Sequence, residues 1–158
     1  MSGVENIVNI NHTHGESIGS KGSGIHKTYK DGYLGIHTDF NTFMDSKLGK
    51  LDRRINILIY LNPDWNEMYL GHLKLFEYKN LINQQKILPI LNRCVIFNTT
   101  KKSWHGHDDT LNCPSNIARS SLANYYYTKN LDKNKDFEGE KEHNTRWWIN
   151  DFKDIKGN

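Results

Sequence analysis

Arg53-Arg54-Ile55-Asn56-Ile57-Leu58-Ile59-Tyr60-Leu61-Asn62-Pro63-Asp64 reads as a strand that stops at a turn. Arg53–Leu61 is rich in Ile and Leu, which suit a pleated, buried surface. Asn62, Pro63 and Asp64 end it, because proline donates no ladder hydrogen bond and Asn and Asp favour turns. Shorter runs of the same kind lie on both sides. Upstream come Ile25–Tyr29, a turn at Lys30-Asp31-Gly32, and Tyr33–Thr38. Downstream, Tyr69–Tyr78 alternates, with Leu73 and Leu75 on one face and His72, Lys74 and Phe76 on the other. Lys86–Leu91, Arg93–Asn98, Ser103–Gly106 and Ile117–Thr128 complete the set. About eight short strands with few helices predict a mainly β sandwich or barrel, and the double-sheet jelly roll is its natural form.

The remaining segments are polar. Residues 1–24 carry several Gly and Ser and read as a loop-like N-terminal arm. Asn41–Asp52 reads as a polar loop. Residues 25–128 make the β domain, and 129–158 a charged, partly helical tail whose Trp147 and Trp148 dock on the sheet. The Asn41–Asp52 and Trp65 loops are expected to border a cleft.

A chain of 158 residues is long enough for one domain with a real core. The net charge is only +3, and Lys and Arg are interleaved with Asp and Glu, so no basic stripe marks a nucleic-acid partner. No apolar run is long enough to span a membrane, and the first residues lack the apolar core of a signal peptide, so the expected location is cytoplasmic. The two cysteines, Cys94 and Cys113, do not make a disulfide framework. Cys94, within Cys94-Val95-Ile96-Phe97, reads as a small core residue.

Chemistry concentrates in Gly35-Ile36-His37-Thr38-Asp39 and Ser103-Trp104-His105-Gly106-His107. His37 and Asp39 are two apart on a strand and share a face. A jelly roll folds back on itself, so a late strand can bring His105 to them. Two imidazoles and a carboxylate can hold a ferrous ion on one triangular face and leave positions open. On the last strand Arg119, Ser121 and Ala123 share a face. Small residues beside the guanidinium leave room for an organic carboxylate to reach it. Other readings stay open here. A His-x-Asp pair is frequent on surfaces, and an isolated Arg often makes a surface ion pair. His107 as a fourth ligand would favour a closed zinc site. Trp104 beside His105 reads as a pocket wall, with His107 next to the metal rather than on it.

These stretches, in this order, resemble the iron(II)- and 2-oxoglutarate-dependent oxygenases of the prolyl 4-hydroxylase-like branch. The resemblance runs from about Gly24 to Thr128. Its pieces are Gly32–Asn41, Arg53–Trp65, Gly71-His72-Leu73-Lys74-Leu75, Asn92–Phe97, Ser103–His107 and Arg119-Ser120-Ser121-Leu122-Ala123. It implies a double-stranded β-helix, a cupin-like jelly roll. It implies that His37, Asp39 and His105 bind Fe(II), and that Arg119, Tyr60 and Ser121 hold the cosubstrate 2-oxoglutarate. Leu58, Leu75 and Trp104 would wall the pocket. The implied reaction is hydroxylation of an unactivated C–H with O2, aided by ascorbate, on a peptidyl proline. A free amino acid, sugar or other small metabolite is the alternative substrate, and a non-catalytic jelly-roll binding module the alternative role. One departure is the short polar stretch where the family has a longer helical segment before the first strand. It implies a minimal version, a fragment, or a partner or second copy over the sheet face left open.

Overall fold

The computed structural model describes residues 7–9, 23–76, 84–129 and 141–148. The Ile-rich run becomes β5, Gly49–Tyr60, and its long antiparallel partner is β10, Arg119–Lys129. Along the far edge of β10 lie β1 (Ile7–Asn9) and β2 (Gly24–Thr28). Along the far edge of β5 lie β4 (Thr42–Asp45) and β8 (Cys94–Asn98). A second antiparallel sheet holds β3 (Leu34–Thr38), β6 (Leu73–Phe76), β7 (Gln84–Ile87), β9 (His105–His107) and β11 (Arg146–Trp147), in the order β11-β3-β9-β6-β7. Tyr60 and Val95 of the first sheet pack against Leu73 of the second, so the two sheets face each other over one core. This is the expected jelly roll.

The β5–β10 register slips once. Tyr126 pairs with Ile55, but Tyr127 pairs with Arg53, leaving Arg54 as an extra residue. Such a bulge reverses the in–out parity of the strand beyond it. Leu51 and Arg53 therefore face inward on one side of the bulge, and Asn56, Leu58 and Tyr60 on the other.

Several expectations need correction. Asn41–Asp52 is not a loop but a hairpin of β4 and the start of β5. Phe43 and Leu51 turn into a core cluster with Ala123, Tyr125 and Tyr127, while the Asp45 carboxylate accepts from the backbone amides of Lys47 and Leu48 in the turn. The arm contributes β1, paired to Tyr126–Thr128; most of residues 1–24 lies outside the described residues. The strand expected over Lys86–Leu91 ends at Ile87, before Pro89. The Trp65 side chain is buried with Leu111 and Cys113. Cys94 is exposed, because alternation along β8 turns Val95 inward and Cys94 and Ile96 outward. The outer face of the larger sheet presents Ile25, Cys94 and Ile96 to solvent. Among the described residues no helix is long and apolar enough to cross a membrane.

In the described part of the tail, residues 141–145 carry no regular element, 146–147 form a strand and Trp148 is helical. β11 pairs with β3, Trp147 opposite His37. Residue Asn41 anchors the approach, exchanging hydrogen bonds with the backbone of Lys141 and His143. Trp148 packs edge-on against Trp104 (5.6 Å between centroids) and against Phe76 (5.4 Å). Trp148→Ala is expected to destabilise the domain by about 2 kcal/mol, below the cost of a fully buried Trp, since the residue is half-buried. Urea unfolding measures it, and an unchanged midpoint would show that the tail adds no stability.

Candidate metal centre

β3 and β9 are hydrogen-bonded neighbours, with His37 directly opposite His105. Gly106 permits this approach, since a Cβ there would lie 2.7 Å from the Gly35 carbonyl oxygen and 2.8 Å from that of Leu34. Both imidazoles are buried, with centroids 4.5 Å apart. His37 Nδ1 donates to the Gly35 carbonyl and His105 Nδ1 to the Ser103 carbonyl, each at 2.8 Å. These bonds fix the tautomers and leave both Nε2 lone pairs facing inward. Asp39 meets them there: its Oδ1 is 3.6 Å from His37 Nε2 and its Oδ2 is 3.4 Å from His105 Nε2. Ligand atoms from His37, Asp39 and His105 all lie within 4.8 Å of one another. His107 is not in that group, so the four-ligand zinc arrangement has no support here.

The carboxylate is held from behind. Arg53 Nη2 donates to Asp39 Oδ2 at 3.0 Å and Asn56 Nδ2 donates to the same oxygen at 2.6 Å. Arg53 also bonds Asn56 Oδ1 through Nε and Nη2, and Thr99 Oγ1 donates to that oxygen at 3.2 Å. The guanidinium lies 3.6 Å from the Tyr125 ring centroid and 4.5 Å from that of Phe40. With Oδ2 saturated, Oδ1 is the oxygen left for a metal. Burial alone would raise the Asp39 pKa, but the polar and positive surroundings of the carboxylate, the buried Arg53 guanidinium among them, outweigh it. They hold the carboxyl well below the ordinary range. Burial pushes His105 down to about 4, keeping it neutral and able to ligate.

Arg119, on the facing sheet, is 5 % exposed. Its Nε donates to the Gly71 carbonyl at 2.7 Å and its Nη2 to the Tyr60 hydroxyl at 3.3 Å. Gly71, at φ +72°, is required: a Cβ there would lie 2.5 Å from Leu111 and 3.0 Å from Arg119 Cδ. Among the described residues no carboxylate pairs with Arg119. Burial raises the Tyr60 pKa, so its hydroxyl keeps its proton. Ser121 lies on the same inward face, register partner of Tyr60.

Leu75 sits opposite His105 and packs with Leu58 on the Tyr60–Leu73–Val95 cluster. Trp104 is not part of the wall. Its ring lies under Arg146 and against Trp148, and the rings against His105 are His37 and Phe97, the latter at 4.7 Å. Trp147, 41 % exposed, lies 4.9 Å from the His37 ring. Arg53, Asn56 and Phe97 were not singled out from sequence, and Trp147 was expected only to dock on the sheet. Alternation with Val95 could have pointed to Phe97.

A jelly roll, an inward His-Asp-His set and a buried arginine facing it coincide with a family description. The model of the 2OG-Fe(II) oxygenase superfamily matches residues 24–127. The chain belongs to that superfamily. Fe(II) and 2-oxoglutarate are therefore its metal and cosubstrate, and a divalent metal suits the His-Asp-His donors. Among curated proteins none matches. A prolyl 4-hydroxylase structure from Phytophthora capsici is 21% identical, with TM-score 0.50, over 84% of this chain and 39% of that one. A prolyl hydroxylase from Trichoplax adhaerens, solved with a hypoxia inducible factor peptide fragment, is 24% identical, TM-score 0.48, over 66% and 42%. HygX from Streptomyces hygroscopicus, solved with nickel and 2-oxoglutarate, is 10% identical, TM-score 0.44, over 78% and 65%. The chain thus spans 39–65% of the length of these structures. The likeness to the Phytophthora capsici structure is one of fold.

Proposed function

We propose that this chain is a 2-oxoglutarate-dependent hydroxylase acting on a C–H bond of a peptide, with a prolyl residue as the favoured target. The observation that carries the oxygenase reading is Arg119. A guanidinium buried without a carboxylate is costly unless an anion joins it. This one faces the same interior as His37, Asp39 and His105.

When bound, Fe(II) and 2-oxoglutarate supply the oxygen-activating chemistry. The chain supplies position. His37 and His105 present Nε2, and Asp39 presents Oδ1, because their other polar atoms are already committed. Arg119 grips the far carboxylate of 2-oxoglutarate in a charge-assisted contact, and the protonated Tyr60 hydroxyl adds a second donor. Ser121 lines the same floor. Leu58, Leu75 and Phe97 keep the surroundings apolar, which strengthens these contacts and limits stray water. The prolyl assignment is supported by the exposed Trp147 face beside His37, an apolar plate suited to a pyrrolidine ring.

The test is succinate release from 2-oxoglutarate with Fe(II) and ascorbate, alone and with proline-containing peptides, followed by peptide mass. Stimulated succinate and a hydroxylated peptide are expected. Stimulation only by free amino acids or sugars would move the substrate and keep the chemistry. No 2-oxoglutarate binding or turnover would support the binding module instead. Arg119→Ala is expected to raise the 2-oxoglutarate KM about ten- to a hundredfold, the value of a hydrogen bond to a charged group. An unchanged KM would remove Arg119 from the site.

A further inference from the structure

We propose that His107 is a further contact for the distal carboxylate of 2-oxoglutarate, made through Nδ1, and that it tunes the pocket toward 2-oxo diacids. This rests on the oxygenase reading above. His107 shares its inward face with His105, two residues along β9, and is 3 % exposed. The two candidate metal ligands each give Nδ1 to the backbone carbonyl two residues earlier. His107 breaks that pattern. Its Nδ1 is buried with no hydrogen-bond partner. Folded proteins leave few such atoms, and an orphaned buried nitrogen two residues from a candidate metal ligand points to a ligand.

Its location selects the ligand. His107 pairs with Leu34, further along β3 from Asp39 than the His37–His105 pair. It lies within the electrostatic reach of both Arg119 and His37. A molecule joining the metal centre to the Arg119 guanidinium would therefore lie within the same reach. A neutral imidazole carries one N–H, which settles on the nitrogen facing a carboxylate. The position is rigid. Gly106 is wedged against β3, and Lys74 ties the chain just beyond His107 through Asp108 (2.6 Å) and Asp109 (2.9 Å).

The experiment is anaerobic calorimetric titration of Fe(II)-loaded protein with 2-oxoglutarate and with 2-oxobutanoate, which lacks the distal carboxylate. His107→Leu is expected to weaken 2-oxoglutarate binding about tenfold or more and to leave 2-oxobutanoate binding unchanged. His107→Asn, whose amide falls where Nδ1 does, should restore most of the affinity. His107→Gln, which places its amide near Nε2, should not. Melting curves check that each variant folds; if the Leu variant does not, the Asn–Gln contrast decides alone. Equal 2-oxoglutarate affinity in all variants overturns the assignment, as does equal loss for both ligands. Loss of iron in His107→Leu would make it a ligand and also overturn it. A wild type that binds no 2-oxoglutarate sinks the oxygenase reading itself.

Discussion

Asp39→Ala is expected to abolish metal-dependent 2-oxoglutarate turnover and to destabilise the domain by about 3–5 kcal/mol. Two separate losses produce these effects. The first is chemical: one of three convergent donors disappears, and two imidazoles alone bind a divalent metal weakly in competition with water. The second is electrostatic. Arg53 is 2 % exposed, and Asp39 is the carboxylate that its guanidinium contacts. Removing the anion leaves the cation buried between Phe40 and Tyr125. The two losses can be separated. Asp39→Ala combined with Arg53→Met removes both charges and should recover much of the stability without recovering iron. Metal content after anaerobic purification and urea unfolding of the two variants measure this. Full iron occupancy in Asp39→Ala would remove Asp39 from the metal centre. A double variant as unstable as the single one would show that the Arg53 charge is not what destabilises it.

The same pair shows where sequence reading stops. Strict alternation along Arg53–Leu61 puts Arg53 and Asn56, three residues apart, on opposite faces. They meet on one carboxylate because the bulge at Arg54 reverses the parity, and a bulge is set by pairing with Tyr126 and Tyr127, far along the chain. Where no bulge intervenes, alternation suffices: His37 with Asp39, Leu73 with Leu75, and Arg119 with Ser121 share faces as their spacing requires. The Asn41–Asp52 hairpin was obscured because only Phe43 and Leu51 of that segment are large, buried and apolar. Trp104 was misplaced for an opposite reason. Its neighbour His105 faces inward, so period two sends the indole to the outer surface, where Trp148 covers it. The tail could be seen to dock, but its pairing with β3 depends on an edge that only the folded sheet presents.

The metal-free domain is expected to lose about 4 kcal/mol of stability between pH 7.5 and pH 5, roughly 2 kcal/mol from each of two histidines. His105 is lowered to about 4 and His107 to about 3, both mainly by burial, with the Arg119 charge adding to the second. Unfolded, each returns to the ordinary histidine value near 6.5. Between these values the unfolded chain binds protons that the folded chain refuses, so acid favours unfolding. The effect starts as the pH drops below about 6.5 and continues until the folded-state values are reached. Asp39 does not offset it, because its carboxyl is held below the ordinary range and stays ionised in both states at pH 5. A loss of this size is a large share of the roughly 5–15 kcal/mol available to a domain, so the metal-free protein should approach its unfolding midpoint in mild acid. Divalent metal should shift the transition to lower pH, since it takes the His105 lone pair that a proton would otherwise occupy. Urea unfolding at the two pH values, in chelator and then with Fe(II) under anaerobic conditions, reads both effects. Equal stability at pH 7.5 and pH 5 in chelator would mean that these imidazoles are hydrated, which contradicts the dry interior on which the site depends.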